Sequence, residues 1–208
     1  GTNIAYTSIN VETDTLVAYL RRLVPGLTTI GLMYATDNSS AVLTQVDPLR
    51  AAAERLSLNL VDITVSGAAT ASDELEAGLP RGIDAMRRLD PELANSVLLV
   101  TGSTSVYERI GLINRYAGDL PVISMLPDIV RAGDESALLS IGVNLTSALK
   151  LSTVYALDVI TGKADPGSLP VGSVSPPDLA INFRVAERVG IKIPFSFLES
   201  STFVYDLE

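Results

Sequence analysis

The stretch Thr28–Ser40, TTIGLMYATDNSS, decides the fold. Its apolar half, Thr29–Tyr34, has the pattern of a buried strand, and its polar half, Ala35–Asn38, that of a loop before a helix beginning near Ser39. Small polar side chains cap a helix N-terminus, because their oxygens accept bonds from free backbone N–H groups. In a parallel α/β sheet such a loop lies at the carboxyl end of a strand, where ligands bind. We therefore expect part of any binding site here.

Strands and helices alternate along the rest of the chain, which predicts a doubly wound parallel sheet in three layers, α/β/α. The further predicted strands are Asn59–Val65, Val97–Val100, Pro121–Ser124, Leu138–Val143 and Leu179–Phe183, while Thr2–Ile9 fits a short strand or a linker. The predicted helices are Glu12–Leu23, Ser39–Leu56, Asp73–Leu89, Val106–Tyr116 and Asn144–Ile160, with short ones ending at Ala132-Gly133 and Gly190. We expect Pro48 to kink or split its helix, and Gly78, Pro80 and Gly82 to interrupt the following one.

Composition excludes several functions. The 208 residues are 47% hydrophobic and 19% charged, as in a well-buried globular protein, and the formal net charge of -9 disfavours nucleic acid as a partner. The absence of His and Cys removes histidine bases, thiol nucleophiles and Cys/His zinc sites. The acids Asp73, Glu74 and Glu76 are typical of a solvated helix start. We therefore predict no metal and no cofactor.

Three predicted strand-to-helix loops share one edge of the sheet: Ala35–Ser40, Thr101–Ser105 and Met125–Asp128. Each offers small hydroxyl, amide or carboxylate groups beside a helix N-terminus. Helix capping alone requires the same residue types, so both interpretations stay open, although three such loops at one edge favour a site. The chain contains no glycine-rich phosphate loop and no G-x-S-x-G elbow, so an enzyme using a carboxylate, Lys or Tyr here is the least favoured function.

Four passages, in order, resemble the ABC-transporter substrate-binding proteins of the type I periplasmic-binding fold, in the subfamily that includes aromatic amino acid binders. They are Leu23–Leu27 with Ile30–Tyr34, Pro121–Ser124 with Val130–Gly133, Leu157–Val171, and Ala180–Pro194. Within these similarities Ser57 stands where a helix-ending Gly is common. The resemblance covers nearly the whole chain.

The resemblance implies one lobe of a two-lobed protein together with the segments that cross the hinge. Residues 1–143 and 178–208 would form the ligand-binding α/β lobe, and helix 144–163 would pack on the absent first lobe or on a partner chain. The start at Gly1 fits an excised or processed piece. Because helix 144–160 is apolar nearly all round, we expect the chain alone to dimerise through it.

The resemblance also implies the function. The chain would belong to the non-catalytic, extracytoplasmic solute-binding component of an ABC importer, either periplasmic or a lipoprotein, which binds a small organic ligand such as an amino acid and delivers it to a membrane permease. The alternative is the ligand-sensing ectodomain of a membrane signalling protein. The ligand contacts implied for this lobe are Asp37, Asn38, Ser39, Ser40, Gly102, Ser103, Thr104, Met125, Pro127 and Asp128.

Overall fold

A seven-stranded sheet forms the centre of the molecule in a computed structural model, which describes residues 3–207. Gly1, Thr2 and Glu208 lie outside the described residues. The first residue of the predicted segment Thr2–Ile9 and the two end positions of the predicted lobe, 1 and 208, are among them. The strands are β1 Thr29–Ala35, β2 Asn59–Val65, β3 Ser96–Val100, β4 Val122–Ser124, β5 Leu139–Gly142, β6 Asp178–Asn182 and β7 Ser201–Tyr205. Their order across the sheet is β2-β1-β3-β4-β5-β6-β7. The predicted parallel sheet is confirmed with one difference: β6 runs antiparallel to β5 and carries β7 parallel to itself.

Helices cover both faces of this sheet, which confirms the three-layer prediction. They are α1 Thr13–Leu23, α2 Ser39–Ala41, α3 Asp47–Leu56, α4 Ala71–Leu89, α5 Thr104–Tyr107, α6 Ile110–Ala117, α7 Leu145–Ile160, α8 Phe183–Arg188 and α9 Phe195–Ser200. One core joins α1, α3, α8 and α9 to the sheet, and a second joins α4 and α6 to the other face. Strand β3 is buried along its whole length, as its continuous apolar run predicts.

The predicted interruption of the fourth helix is wrong. Helix α4 continues from Ala71 to Leu89 through Pro80 and both glycines. Gly82 is buried against β2, and a Cβ atom on it would lie 2.5 Å from Ile63 Cγ1. Close packing of the helix on the strand therefore requires this glycine and compensates for its poor helix propensity.

Pro48 splits its helix as predicted, by means of a widened turn. Residues Val42–Val46 form a π-helical segment in which the Asp47 N–H bonds to the Val42 carbonyl, five residues back. Pro48 then falls in the first turn of α3, where its missing N–H is tolerated. This extra residue in the turn rotates the preceding side chains relative to a regular helix.

Smaller differences concern segments after the third strand. The predicted helix Val106–Tyr116 is two helices, α5 and α6, and the predicted short helix before Gly133 is a single 3₁₀ turn, Pro127–Ile129. The apolar tail forms α9 and the edge strand β7, which periodicity did not predict. Within residues 3–207, none of the helices combines the length and hydropathy needed to cross a membrane.

Candidate functional site

The carboxyl ends of β1, β3 and β4 lie side by side, so the three predicted loops meet at one edge of the sheet. Met33 of β1 pairs with Val100 of β3, and Val100 pairs with Ser124 of β4. The ladder continues one step into the loops: the Thr101 N–H donates to the Met33 carbonyl at 3.1 Å, and the Met125 N–H donates to the Val100 carbonyl at 3.0 Å. The loops therefore start from a rigid base.

The first loop turns from β1 into α2 and presents mostly exposed side chains. Asn38 is half-buried, and its side-chain oxygen accepts the Ala41 N–H at 3.1 Å, so it caps the helix as predicted. Ser39 and Ser40 are exposed. Asp37 is also exposed and lies against Gly67, where an added Cβ would approach its Oδ2 atom to 2.8 Å. Asp37 thus leans towards the loop that follows β2.

The second loop contains both structural and available groups. Ser103 is fully buried, and its hydroxyl accepts the Ala35 N–H at 3.1 Å and lies 3.1 Å from the Thr101 hydroxyl. Its oxygen therefore fixes the end of β1. Gly102 is half-buried, and the exposed Thr104 hydroxyl donates to the Tyr107 hydroxyl at 3.1 Å. Of these predicted contacts, Thr104 and the backbone of Gly102 are the more accessible.

The third loop packs closely against the end of β5. Met125 and Pro127 are buried, whereas Asp128 is exposed on the 3₁₀ turn. Gly142 at the end of β5 allows the close approach, because a Cβ atom there would lie 2.4 Å from the Met125 carbonyl oxygen and 2.7 Å from Pro127 Cδ. The absence of a side chain at Gly142 therefore allows the third loop to pack this closely on the sheet.

A fourth loop, residues 66–70 after β2, adjoins the first loop and was not predicted as part of the site. Glu74 of α4 accepts bonds from the backbone N–H and the hydroxyl of Ser66 and from the Thr70 hydroxyl. These bonds, the Ser66 hydroxyl first, hold the pKa of Glu74 below its usual range. Arg109 ties this loop to the second one by donating to the Ala68 carbonyl at 3.1 Å and the Ser105 carbonyl at 2.9 Å.

A charged pair supports β1 from the α3 side. Arg50 donates to Asp62 at 2.7 Å and to the hydroxyl of the buried Tyr34 at 3.0 Å. The hydrogen bond to Asp62 raises the pKa of Arg50 above its usual value. Arg50 therefore stays a cation and satisfies the only polar atom of the Tyr34 side chain.

Sequence reasoning also missed Gln45, a half-buried residue of the π-helical segment. Its side-chain oxygen accepts the Gly102 N–H at 2.8 Å, and its side-chain nitrogen donates to the Asn10 side-chain oxygen at 2.8 Å. A regular helix would orient this position differently. The only sequence signal was Pro48, which forces the widened turn without revealing which side chain it redirects.

The accessible groups of the three loops are hydroxyls and the exposed carboxylates of Asp37 and Asp128, whereas the half-buried Gly102 N–H is already bonded to Gln45. No Lys or Arg occurs within residues 35–40, 101–105 or 125–128. Such a surface can bind a small polar molecule through hydrogen bonds and can attract a cationic group. Across the described residues 3–207, no cluster of acidic side chains has an arrangement that could hold a metal ion.

Comparison with known proteins gives the family. The model of a family described as ABC transporter substrate binding protein matches residues 1–204. The chain belongs to this family. The resemblance seen in the sequence is thereby confirmed, and the family is a substrate-binding, non-catalytic one whose members act outside the cytoplasm. No protein with a curated description matches the chain.

Three solved structures share the fold of this chain. The chain is 22% identical to the ligand-free, open structure of a substrate-binding protein with adhesive properties from Clostridium difficile, with a TM-score of 0.73 over 99% of this chain and 63% of that one. A conserved domain protein from Vibrio cholerae gives 22% identity and a TM-score of 0.70, over 98% and 64% of the two chains. An ABC domain from Streptococcus pneumonia, solved in complex with L-Trp, gives 20% identity and a TM-score of 0.65, over 94% and 62%.

These similarities fix the fold as that of a periplasmic-binding-protein lobe. The chain spans less than two thirds of the length of each of these three structures.

Proposed function

We propose that this chain supplies one side of the ligand cleft in a non-catalytic solute-binding component of an ABC importer. The observation that carries the proposal is the meeting of three polar loops at one sheet edge in a chain that matches the substrate-binding family over residues 1–204. The ligand is a small organic molecule that is bound and released unchanged. Delivery to a membrane permease, from the periplasm or from a lipid-anchored form, completes the proposed role.

The ligand contacts of this lobe are the exposed and half-buried groups of the three loops. Asp37, Asn38, Ser39, Ser40, Gly102, Thr104 and Asp128 contact the ligand directly, while Ser103, Met125 and Pro127 shape the floor beneath it. Because these loops carry carboxylates and no basic side chain, this side of the cleft attracts the ammonium group of an amino acid. L-Trp is the first ligand to test, since one structurally similar ABC domain was solved with it.

Helix α7 packs on a second lobe that lies outside this chain. Five large apolar side chains of α7 are 54 to 82% exposed: Leu145, Leu149, Val154, Leu157 and Ile160. Only Ala148 of this helix is buried, so α7 contributes little to the core of the described lobe. A second lobe of about the third of the similar structures that this chain does not cover would bury this surface. We assign residues 1–143 and 178–208 to the lobe that carries the three loops.

The ligand proposal is tested by measuring the change in melting temperature on addition of L-Trp and of the other amino acids. The measurement is made on the 208-residue chain and on a two-lobed protein that contains it. A ligand concentration of about a hundred times Kd stabilises a folded protein by about 2.7 kcal/mol, so we expect a clear rise in the melting temperature of the two-lobed protein. The chain alone shifts little, because closure supplies half of the contacts. A strong shift of the chain alone would contradict the two-sided cleft, and no shift of either protein would contradict an amino acid ligand.

A pair of aspartates gives the matched control. Asp128→Asn removes a carboxylate at the proposed site, whereas Asp119→Asn removes an exposed one at the opposite edge of the sheet, before β4. In the two-lobed protein we expect only Asp128→Asn to weaken binding of L-Trp. Equal affinities in both variants would remove Asp128 from the site.

Sedimentation equilibrium of the chain alone tests the α7 surface. We expect the apparent mass to rise with concentration towards twice the monomer mass of 22.0 kDa. Leu149→Glu combined with Leu157→Glu should keep the chain monomeric, whereas Lys150→Glu, which changes charge without removing an apolar side chain, should not. A monomer at all concentrations for the unsubstituted chain would contradict association through α7.

A further inference from the structure

Gln45 joins two parts of the molecule that are far apart in sequence. Its side-chain oxygen accepts the Gly102 N–H and its side-chain nitrogen donates to Asn10 Oδ1, both at 2.8 Å. The orientation of the amide is fixed, because only the oxygen can accept from a backbone N–H. The side chain lies directly over Gly102, where an added Cβ would be 3.2 Å from Gln45 Nε2.

Asn10 continues the connection into the segment before α1. The Asn10 N–H donates to the Ser8 hydroxyl at 3.0 Å, and the Ser8 N–H donates to the Gly172 carbonyl at 2.7 Å. The Gly172 N–H in turn donates to the Tyr6 carbonyl at 2.9 Å. Residues 6–10 are thereby bonded to residue 172 of the segment that leads from α7 back to β6.

We infer that Gln45 is a positioning residue that couples the loop 101–105 to the segment 6–10. Both ends of one planar amide are engaged, so a displacement of the segment moves the Gly102 N–H with it. If the three loops bind a ligand as proposed above, movement of residues 6–10 and 172 alters the shape of that site. The coupling itself does not depend on the ligand proposal.

Hydrogen exchange of the ligand-free 208-residue chain, followed by NMR, measures the coupling at the Gly102 amide. Gln45→Met keeps the shape of the side chain and removes both hydrogen bonds, so Gly102 should exchange about tenfold faster. Asn10→Ala should also speed exchange at Gly102 severalfold, although the hydrogen bonds of Asn10 are to Ser8 and Gln45 and not to Gly102. Asn10→Asp keeps an acceptor for Gln45 Nε2 and should restore the original rate.

Two controls separate coupling from general loosening. Thr44→Val removes a neighbouring hydroxyl of the same segment, which bonds only the Ser40 carbonyl, and should leave Gly102 unchanged. Exchange within β3 should stay the same in every variant. If Asn10→Ala leaves the Gly102 rate unchanged, or Asn10→Asp fails to restore it, the coupling is refuted, even where Gln45→Met unfolds the chain.

The same variants in a two-lobed protein, titrated with L-Trp, connect the coupling to binding. Gln45→Met and Asn10→Ala should weaken the affinity severalfold and Asn10→Asp should restore it. Absence of L-Trp binding to the unsubstituted protein would count against the ligand proposal and leave the exchange result standing. Unaltered affinity in Gln45→Met would show that Gln45 does not position the site.

Discussion

Replacing Gly142 by Ala should displace the third loop, which packs on the end of β5. The new Cβ would lie 2.4 Å from the Met125 carbonyl oxygen, about 1.0 Å inside the 3.4 Å at which ordinary contact begins. The obstacle is a backbone atom of a buried residue, so no side-chain rotation relieves it. Overpacking of this kind costs about 1–3 kcal/mol, and we expect the free energy of unfolding to fall by about 2 kcal/mol.

Urea unfolding measures this loss, with Gly78→Ala as the matched glycine. A Cβ on Gly78 would meet only Ile63 Cγ2, at 3.8 Å, so that variant should gain about 0.5–1 kcal/mol from helix propensity. In a two-lobed protein Gly142→Ala should also weaken L-Trp binding, because the loop carrying Asp128 is displaced. An unfolding free energy within about 0.3 kcal/mol of the original would refute the close-approach argument, since overpacking costs exceed this.

Three further substitutions test the framework. Ser57 ends α3 with φ 54° and ψ 45°, and Ser57→Gly should stabilise the chain by about 0.5–1 kcal/mol in urea unfolding, since relief of the left-handed strain exceeds the added chain entropy; Ser57→Ala should give no gain. Gly82→Ala should destabilise by roughly 1 kcal/mol despite better helix propensity, because its Cβ meets Ile63, and a gain like that of Gly78→Ala would contradict this. The lowered pKa of Glu74 means that its carboxylate stabilises the fold above the unfolded-state pKa and that this contribution is lost as pH falls through the folded pKa. The stability difference between the original chain and Glu74→Gln should therefore shrink on acidification, and a constant difference would exclude the charged form as its source.

The framework of the fold was predictable where composition is unambiguous. The apolar run of β1 followed by small polar residues can form little else, and its strand, loop and helix start were all predicted. The predicted interruption of α4 was wrong because it was based on helix propensity alone. The packing of Gly82 against Ile63, which compensates for the poor helix propensity of glycine, is visible only in three dimensions. The reversal of β6 was not predictable, since a buried strand such as Asp178–Asn182 has the same pattern in either direction.

The site was predictable in place but not in detail. The three loops followed from the positions of the strand ends. Sequence could not show that the Ser103 oxygen is used by the Ala35 N–H, because a buried and an exposed serine look alike in a loop. It could not reveal Gln45 either, because the π-helical turn shifts the side chains by one position.

The reversal of β6 brings the chain back into the sheet at the edge from which it departed after β5. The Asn144 N–H, two residues beyond the end of β5, donates to Oδ2 of Asp178, the first residue of β6, at 2.8 Å. Residues 145–177 therefore form an excursion whose two ends are fastened side by side. Such a junction is where domains can be inserted or exchanged with least disturbance. Replacing residues 145–177 by another segment whose ends lie equally close together should therefore leave the strand order of the sheet unchanged.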